Sequence, residues 1–190
     1  RVCESLTCSL FGSENLYEDL SKKYKGKVRV LKAPCMGKCD YAPALEVEHN
    51  HVDNATLDKV DKVISNKSFN PVMSKFIDLD NYIKDGGYSL FKKLKLKEVT
   101  YEEISKVISE SNLRGLGGAG FPASKKWEFV RANKGPRMMC INGDEGEVGT
   151  FKDKYYLDTD PHRFLEGTLI AAHIVEAEKC FIYMRDEYPG

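Results

Sequence analysis

The chain has 190 residues, and its 29 Lys and Arg are matched by 29 Asp and Glu, so the formal charge is zero. That balance excludes a general polyanion binder, and no nucleic acid partner is expected. No apolar run approaches the ~18 residues needed to cross a bilayer, so no direct membrane insertion is expected either.

In chain order, "SENLYEDLSKKY" (13–24) carries Leu16, Leu20 and Tyr24 at fourfold spacing and predicts a helix. "KVRVLKA" (27–33) and "ALEVEHN" (44–50) alternate and predict strands, and Leu57, Val60 and Ile64 mark a helix over 53–64. With a first strand around Val2, residues 1–66 read as a small α/β sandwich. Residues 67–99 lack periodicity and are punctuated by "NKSFNP" and "DGG", which predicts a linker. Thr100 and Glu103 form a capping-box pair ahead of the apolar face Tyr101, Ile104, Val107 and Ile108. Residues 100–190 make the second unit. Within it "RMMCIN" (137–142) and "KCFIYM" (179–184) read as buried strands, and "PHRFLEGTLIAAHIV" (161–175) reads as a helix.

The stretch "LRGLGGAGFP" (113–122) contains Gly115-x-Gly117-x-x-Gly120, the spacing of a dinucleotide fingerprint. A helix, not a strand, is predicted ahead of it, which argues against the standard βαβ unit. Pro122 suits the first turn of a following helix, with Trp127 and Val130 on its buried stripe. The loop therefore reads as an anion cradle at a helix N-terminus. The alternative is a tight packing loop. After the first of the buried strands, "NGDEGEVGTFKDK" (142–154) offers Asp144, Glu145 and Glu147 where α/β proteins tend to place ligands. An acidic surface loop is the plainer reading.

Of six cysteines, Cys3-x4-Cys8 and Cys35-x3-Cys39 form two close pairs. Without a signal sequence, such pairs point to a metal or redox centre in a reducing compartment, and the chain is expected to be cytoplasmic or peripheral on the cytoplasmic face of a membrane complex. Both gaps exceed the two residues usual in zinc ribbons, and the wider bite suits the four thiolates of a [2Fe–2S] cluster. Zinc and disulfides stay open as alternatives. Cys140 and Cys180 sit in apolar strand patterns and are expected to be buried thiols without a role. None of the four histidines falls in a catalytic pattern, and no catalytic residue is assigned.

Taken together, "LRGLGGAGFPASKKW", "NGDEGEVGTFKDK" and "PHRFLEG…FIYMRDEYP" resemble the FMN-binding subunit of the NADH dehydrogenase module. This family includes the flavoprotein subunit of respiratory NADH:quinone oxidoreductase, the diaphorase of NAD-linked hydrogenases and the β subunit of soluble NAD-dependent formate dehydrogenase. The first unit resembles the thioredoxin-like [2Fe–2S] ferredoxin domain often fused ahead of it. "APCMGKCDYAPALEVEHNHV" and "DPHRFLEG" look most like the formate dehydrogenase β subunit.

The resemblance implies an α/β chain with a thioredoxin-like ferredoxin domain, then the N-terminal part of a Rossmann-like FMN-binding domain. It implies that Cys3, Cys8, Cys35 and Cys39 hold the cluster. Gly115, Gly117, Gly118 and Gly120 line the FMN cradle, with Lys126 neutralising the phosphate. Asn142, Asp144 and Glu145 contact the flavin, Phe121 stacks on the adenine of NAD(H), and Glu147 places the dinucleotide. Tyr183 and Glu187 make further flavin and nucleotide contacts. Leu116, Ser124 and Val148 depart from the family's usual basic residue, glycine and proline.

The implied partners are the iron–sulfur and substrate-oxidising subunits of a larger dehydrogenase. Its nicotinamide would exchange a hydride with FMN, which passes single electrons to the clusters. Because the sequence starts at Arg1 and stops after an apolar run, a longer chain is expected, its C-terminal part carrying a [4Fe–4S] cluster. The rival reading is a non-catalytic, ferredoxin-like docking module.

Overall fold

The computed structural model describes residues 1–185 and Tyr188. The chain forms two compact units. The first comprises 1–75, 143–159 and 184–190, and the second comprises 76–142 and 160–183.

The first unit is built on a four-stranded sheet in the order β2-β1-β3-β4: β1 (Val2–Cys3), β2 (Lys32–Ala33), β3 (Leu45–Val47) and β4 (Asn50–Val52). Strand β1 runs parallel to β2 and antiparallel to β3, and β3 pairs antiparallel with β4. Alternation over 27–33 predicts one strand, yet only Lys32 and Ala33 pair, because β1 offers just two residues to pair with. Helix α1 (Leu6–Leu10), a single short turn without periodicity, lies between β1 and α2 (Ser13–Lys23).

The spacing of Leu16 and Leu20 does what helical periodicity demands: both are buried with Val2, Leu45, Val52, Ala55 and Val60 of the sheet and α3 (Leu57–Ser65). Thr56 caps α3 by accepting the Lys59 N–H at 3.3 Å. Helix α8 (Lys152–Thr159) belongs to this unit as well.

In the second unit the expected linker carries two short helices, α4 (Leu79–Lys84) and α5 (Ser89–Lys95). They are too short for periodicity to show, but Asp78 caps α4 through the Asn81 N–H at 2.9 Å. Both pack on α9 (Pro161–Ile174). Glu166 of α9 accepts the Tyr82 hydroxyl at 2.6 Å and the Tyr88 N–H at 2.9 Å. Helix α6 (Tyr101–Glu110) opens with the expected capping box, the Glu103 N–H donating to Thr100 Oγ1 at 3.2 Å and the Thr100 N–H to Glu103 at 2.8 Å. Leu94, Ile104 and Ile174 form the buried core, flanked by Trp127 of α7 (Ala123–Ala132).

Strands β5 (Met138–Gly143) and β6 (Lys179–Met184) form a separate two-stranded sheet. Their apolar composition predicts burial, but β6 is exposed along its length, and Cys140 and Cys180 are exposed as well. Each strand pairs only with the other among the described residues, and so small a sheet has little to bury itself against.

Candidate functional site

The thiols of the first unit converge as the paired spacing requires. Cys3 ends β1, Cys8 lies on α1, and Cys35 and Cys39 flank the turn at Gly37, whose φ of 68° favours glycine. Cys35 and Cys39 sulfurs are 3.6 Å apart. Cys3 lies close enough to Cys8 and Cys35 to interact with both, so the four thiols gather in one group. Backbone N–H groups serve them: Ala44 N–H donates to Cys8 Sγ and Gly149 N–H to Cys39 Sγ, each at 3.4 Å, and the Ser5 and Gly37 backbone lies beside Cys3 and Cys35.

The interaction with Cys3, helped by the Ala44 N–H, holds the Cys8 thiol down at about 7 against the cost of burial. Burial pushes the Cys39 thiol up, with the Gly149 N–H opposing it. Cys35 is raised by its interaction with Cys3 and then by burial. Among the described residues no three His, Cys, Asp or Glu side chains converge on a single metal ion. A group of thiols served by N–H donors fits a two-iron cluster, which shares four thiolates between its irons, better than one tetrahedral ion. All six cysteines are free thiols in this structure.

The acidic loop lies in the same unit as the thiols. Glu145 sits at φ 46°, and its side chain is only 2% exposed. Its carboxylate accepts the Asp153 and Lys154 N–H groups, each at 3.0 Å, so it caps the N-terminus of α8. Asp144 is half-buried, while Glu147 is exposed and its carbonyl accepts the Thr150 N–H at 3.1 Å and hydroxyl at 2.6 Å.

The glycine loop lies in the second unit and follows α6 without an intervening strand, as the sequence predicts. Its base is closed by Gly115 N–H to Phe121 O and Ala123 N–H to Leu113 O, both at 2.9 Å. The Arg114 guanidinium also donates to Gly120 O at 3.1 Å. Gly118 and Gly120 take φ of 109° and 63°, which accounts for glycine there. Gly117 has neither a positive φ nor any atom within 4 Å of an added Cβ. Nothing inside the protein requires glycine at 117, which leaves its backbone open to an approaching group such as the phosphate of FMN.

Phe121, exposed beside this turn, tilts towards Phe129 at 6.1 Å. Lys126 on α7, Asn142 on β5 and Tyr183 on β6 are all exposed residues of the same unit. Glu187 lies outside the described residues. The structure thus gathers the four cysteines and the acidic loop in one unit. The glycines, Phe121, Lys126, Asn142 and Tyr183 belong to the other. Sequence reasoning missed Gly149 as a donor to Cys39 and Arg185, whose guanidinium donates to Cys35 O at 2.7 Å. No local pattern signals a bond spanning more than a hundred residues.

No helix of the described residues is long and apolar enough to cross a membrane. Residues 1–68 match the model of the thioredoxin-like [2Fe-2S] ferredoxin, and residues 108–190 match that of the Nuo51 FMN-binding domain. An NADH-quinone oxidoreductase subunit of Aquifex aeolicus (strain VF5) is 46% identical over 112 residues, covering 59% of this chain and 26% of that protein. The mitochondrial 51 kDa subunit of NADH-ubiquinone oxidoreductase from Neurospora crassa is 38% identical over 116 residues, covering 58% of this chain and 23% of that protein. The chain thus spans less than a third of the length of these relatives. A crystal structure of NAD+-reducing [NiFe]-hydrogenase superposes with a TM-score of 0.76 at 24% identity, covering 99% of this chain and 37% of that one. That likeness establishes the mixed α/β fold. Residues 1–68 belong to the thioredoxin-like [2Fe–2S] ferredoxin family, and residues 108–190 belong to the Nuo51-type FMN-binding domain family.

Proposed function

We propose that this chain is part of an NADH-dehydrogenase-type flavoprotein subunit, carrying electrons between NAD(H), FMN and iron–sulfur clusters inside a multi-subunit enzyme. The observation that carries this reading is the group of four thiols with N–H donors at Cys8 and Cys39, joined in one polypeptide to an FMN-type glycine loop. In domain terms, residues 1–66 hold the cluster, 67–99 lead into the second unit and supply its helices α4 and α5, and 100–190 contribute to the flavin and nucleotide site.

Bound FMN would take a hydride from reduced nicotinamide and release electrons singly to the clusters. The protein's part is to bind and orient. Gly115, Gly117, Gly118 and Gly120 present backbone to the phosphate, and Lys126 adds a positive charge. Asn142, Asp144, Tyr183 and Glu187 contact the flavin or nucleotide, Phe121 stacks on the adenine, and Glu147 positions the dinucleotide. Glu145 acts on the flavin site by ordering its loop, since its carboxylate serves as the cap of α8.

The finer assignment is the β subunit of an NAD-reducing formate dehydrogenase, supported by the texture of "APCMGKCDYAPALEVEHNHV" and "DPHRFLEG". The names of the relatives favour a second reading, a respiratory or hydrogenase-linked subunit. Affinity purification of the native complex through a tag on this chain separates the two. Formate-dependent NAD+ reduction supports the first, and NADH-dependent quinone reduction or hydrogen-dependent NAD+ reduction supports the second. A tagged complex that contains neither flavin nor iron and oxidises no NADH overturns both.

A further inference from the structure

The thiols receive contacts from parts of the chain far outside the ferredoxin match at 1–68. The Gly149 N–H donates to Cys39 Sγ at 3.4 Å across 110 residues, from a backbone with φ of 90° that favours glycine. The Arg185 guanidinium donates to Cys35 O at 2.7 Å across 150 residues. The Tyr188 ring covers Gly37, where an added Cβ would come within 2.7 Å of a ring carbon. The Tyr188 hydroxyl is buried and has no hydrogen-bond partner among the described residues. All of these groups lie in the same compact unit as the cysteines.

We propose that Gly149, Arg185 and Tyr188 tune the cluster, the Gly149 N–H and the Arg185 guanidinium making it easier to reduce than the ferredoxin region alone would. The proposal rests on the [2Fe–2S] reading given above. On reduction the cluster gains one electron, supplied by flavin in the enzyme or by dithionite in a titration, and no bond to iron forms or breaks. The added negative charge spreads onto the sulfurs. A donor aimed at a cysteine sulfur, or a cation at a cysteine carbonyl, therefore stabilises the reduced form more than the oxidised one. Tyr188 shields the Gly37 turn from water and keeps both interactions in a less screened environment. Gly149 sits two residues after Glu147, so the loop assigned to the dinucleotide also touches the cluster.

The test is an EPR-monitored dithionite titration of the full chain reconstituted with iron and sulfide. Gly149→Pro removes the N–H and should lower the reduction equilibrium about tenfold, equivalent to about 59 mV for a one-electron couple, whereas Gly149→Ala, which keeps the N–H, should shift it by much less. Arg185→Gln should shift the midpoint in the same direction. Lys22→Gln, the same change of charge on the exposed face of α2, should leave it unchanged. Should Gly149→Pro fail to fold, hyperfine spectroscopy of the ¹⁵N-glycine-labelled chain decides. The reduced cluster should couple to the nitrogens of Gly37, beside Cys35, and of Gly149, and Gly149→Ala should remove the second coupling and keep the first. Midpoints of Gly149→Pro and Arg185→Gln equal to that of Lys22→Gln, or no coupling lost in Gly149→Ala, overturn the proposal. A chain that takes up no iron and gives no reduced-cluster signal overturns the [2Fe–2S] reading itself, an outcome distinct from unshifted midpoints.

Discussion

Glu145 is the site residue whose two roles make opposite forecasts. The resemblance assigns it to the flavin, whereas its carboxylate is 2% exposed and spent on two helix N–H groups at 3.0 Å. Glu145→Ala strips the acceptor from the Asp153 and Lys154 N–H groups and removes a negative charge from the positive end of α8. An N-cap is worth ~1 kcal/mol and the charge at a helix N-terminus ~0.5 to 1 kcal/mol. Leaving two partly buried donors unpaired adds to that, for a total of about 2 to 3 kcal/mol. In a chain of this size the melting temperature should fall by roughly 4 to 10 °C. Glu145→Gln keeps an acceptor and loses only the charge, so it should recover more than half of the loss. Thermal unfolding of the flavin-free chain followed by circular dichroism measures both. If Glu145→Ala melts within about 1 °C of the parent chain, the capping account is wrong and the residue is held for the flavin alone.

Other outcomes follow from the same geometry. Gly117→Val should leave unfolding unchanged, since no atom lies within 4 Å of its Cβ, yet weaken FMN binding at least tenfold by flavin fluorescence; equal affinity would remove the cradle. Gly87→Ala drives a Cβ into the Tyr82 ring, so it should displace Tyr82 from Glu166 and cost about 1 to 3 kcal/mol in urea unfolding. Leu20→Ala, in the core of the first unit, should cost about 2 to 5 kcal/mol by the same measurement. In the reduced, iron-free chain, thiolate absorbance at about 240 nm should show Cys8 ionising near pH 7, below the ordinary cysteine range. Cys8→Ala should abolish that early step, and its persistence would refute the assignment of the early ionisation to Cys8.

What was legible in the sequence was whatever is local. Leu16 and Leu20 declared α2 by their spacing, Thr100 and Glu103 declared the start of α6, and the close cysteine pairs declared a thiol site because two short stretches of chain supply all four. Helices α1, α4 and α5 are too short for a period to register. The expectation that β5 and β6 are buried failed because apolar composition says what a strand can bury, not what packs upon it. The packing of residues 143–159 with the cysteines was illegible because it depends on bonds such as Gly149 to Cys39, made 110 residues apart. Likewise, the carboxylate of Glu145 drew attention as a flavin ligand, while its capping role became visible only once α8 had a defined start.

The central claim is that Cys3, Cys8, Cys35 and Cys39 hold a two-iron cluster. Its most direct test is anaerobic reconstitution of the full chain with iron, sulfide and zinc together, followed by metal and sulfide analysis and EPR of the dithionite-reduced protein. The account predicts about two irons and two sulfides per chain and one unpaired spin per cluster, all lost in Cys35→Ser. One zinc per chain without sulfide, or paired disulfides with no metal, would contradict it.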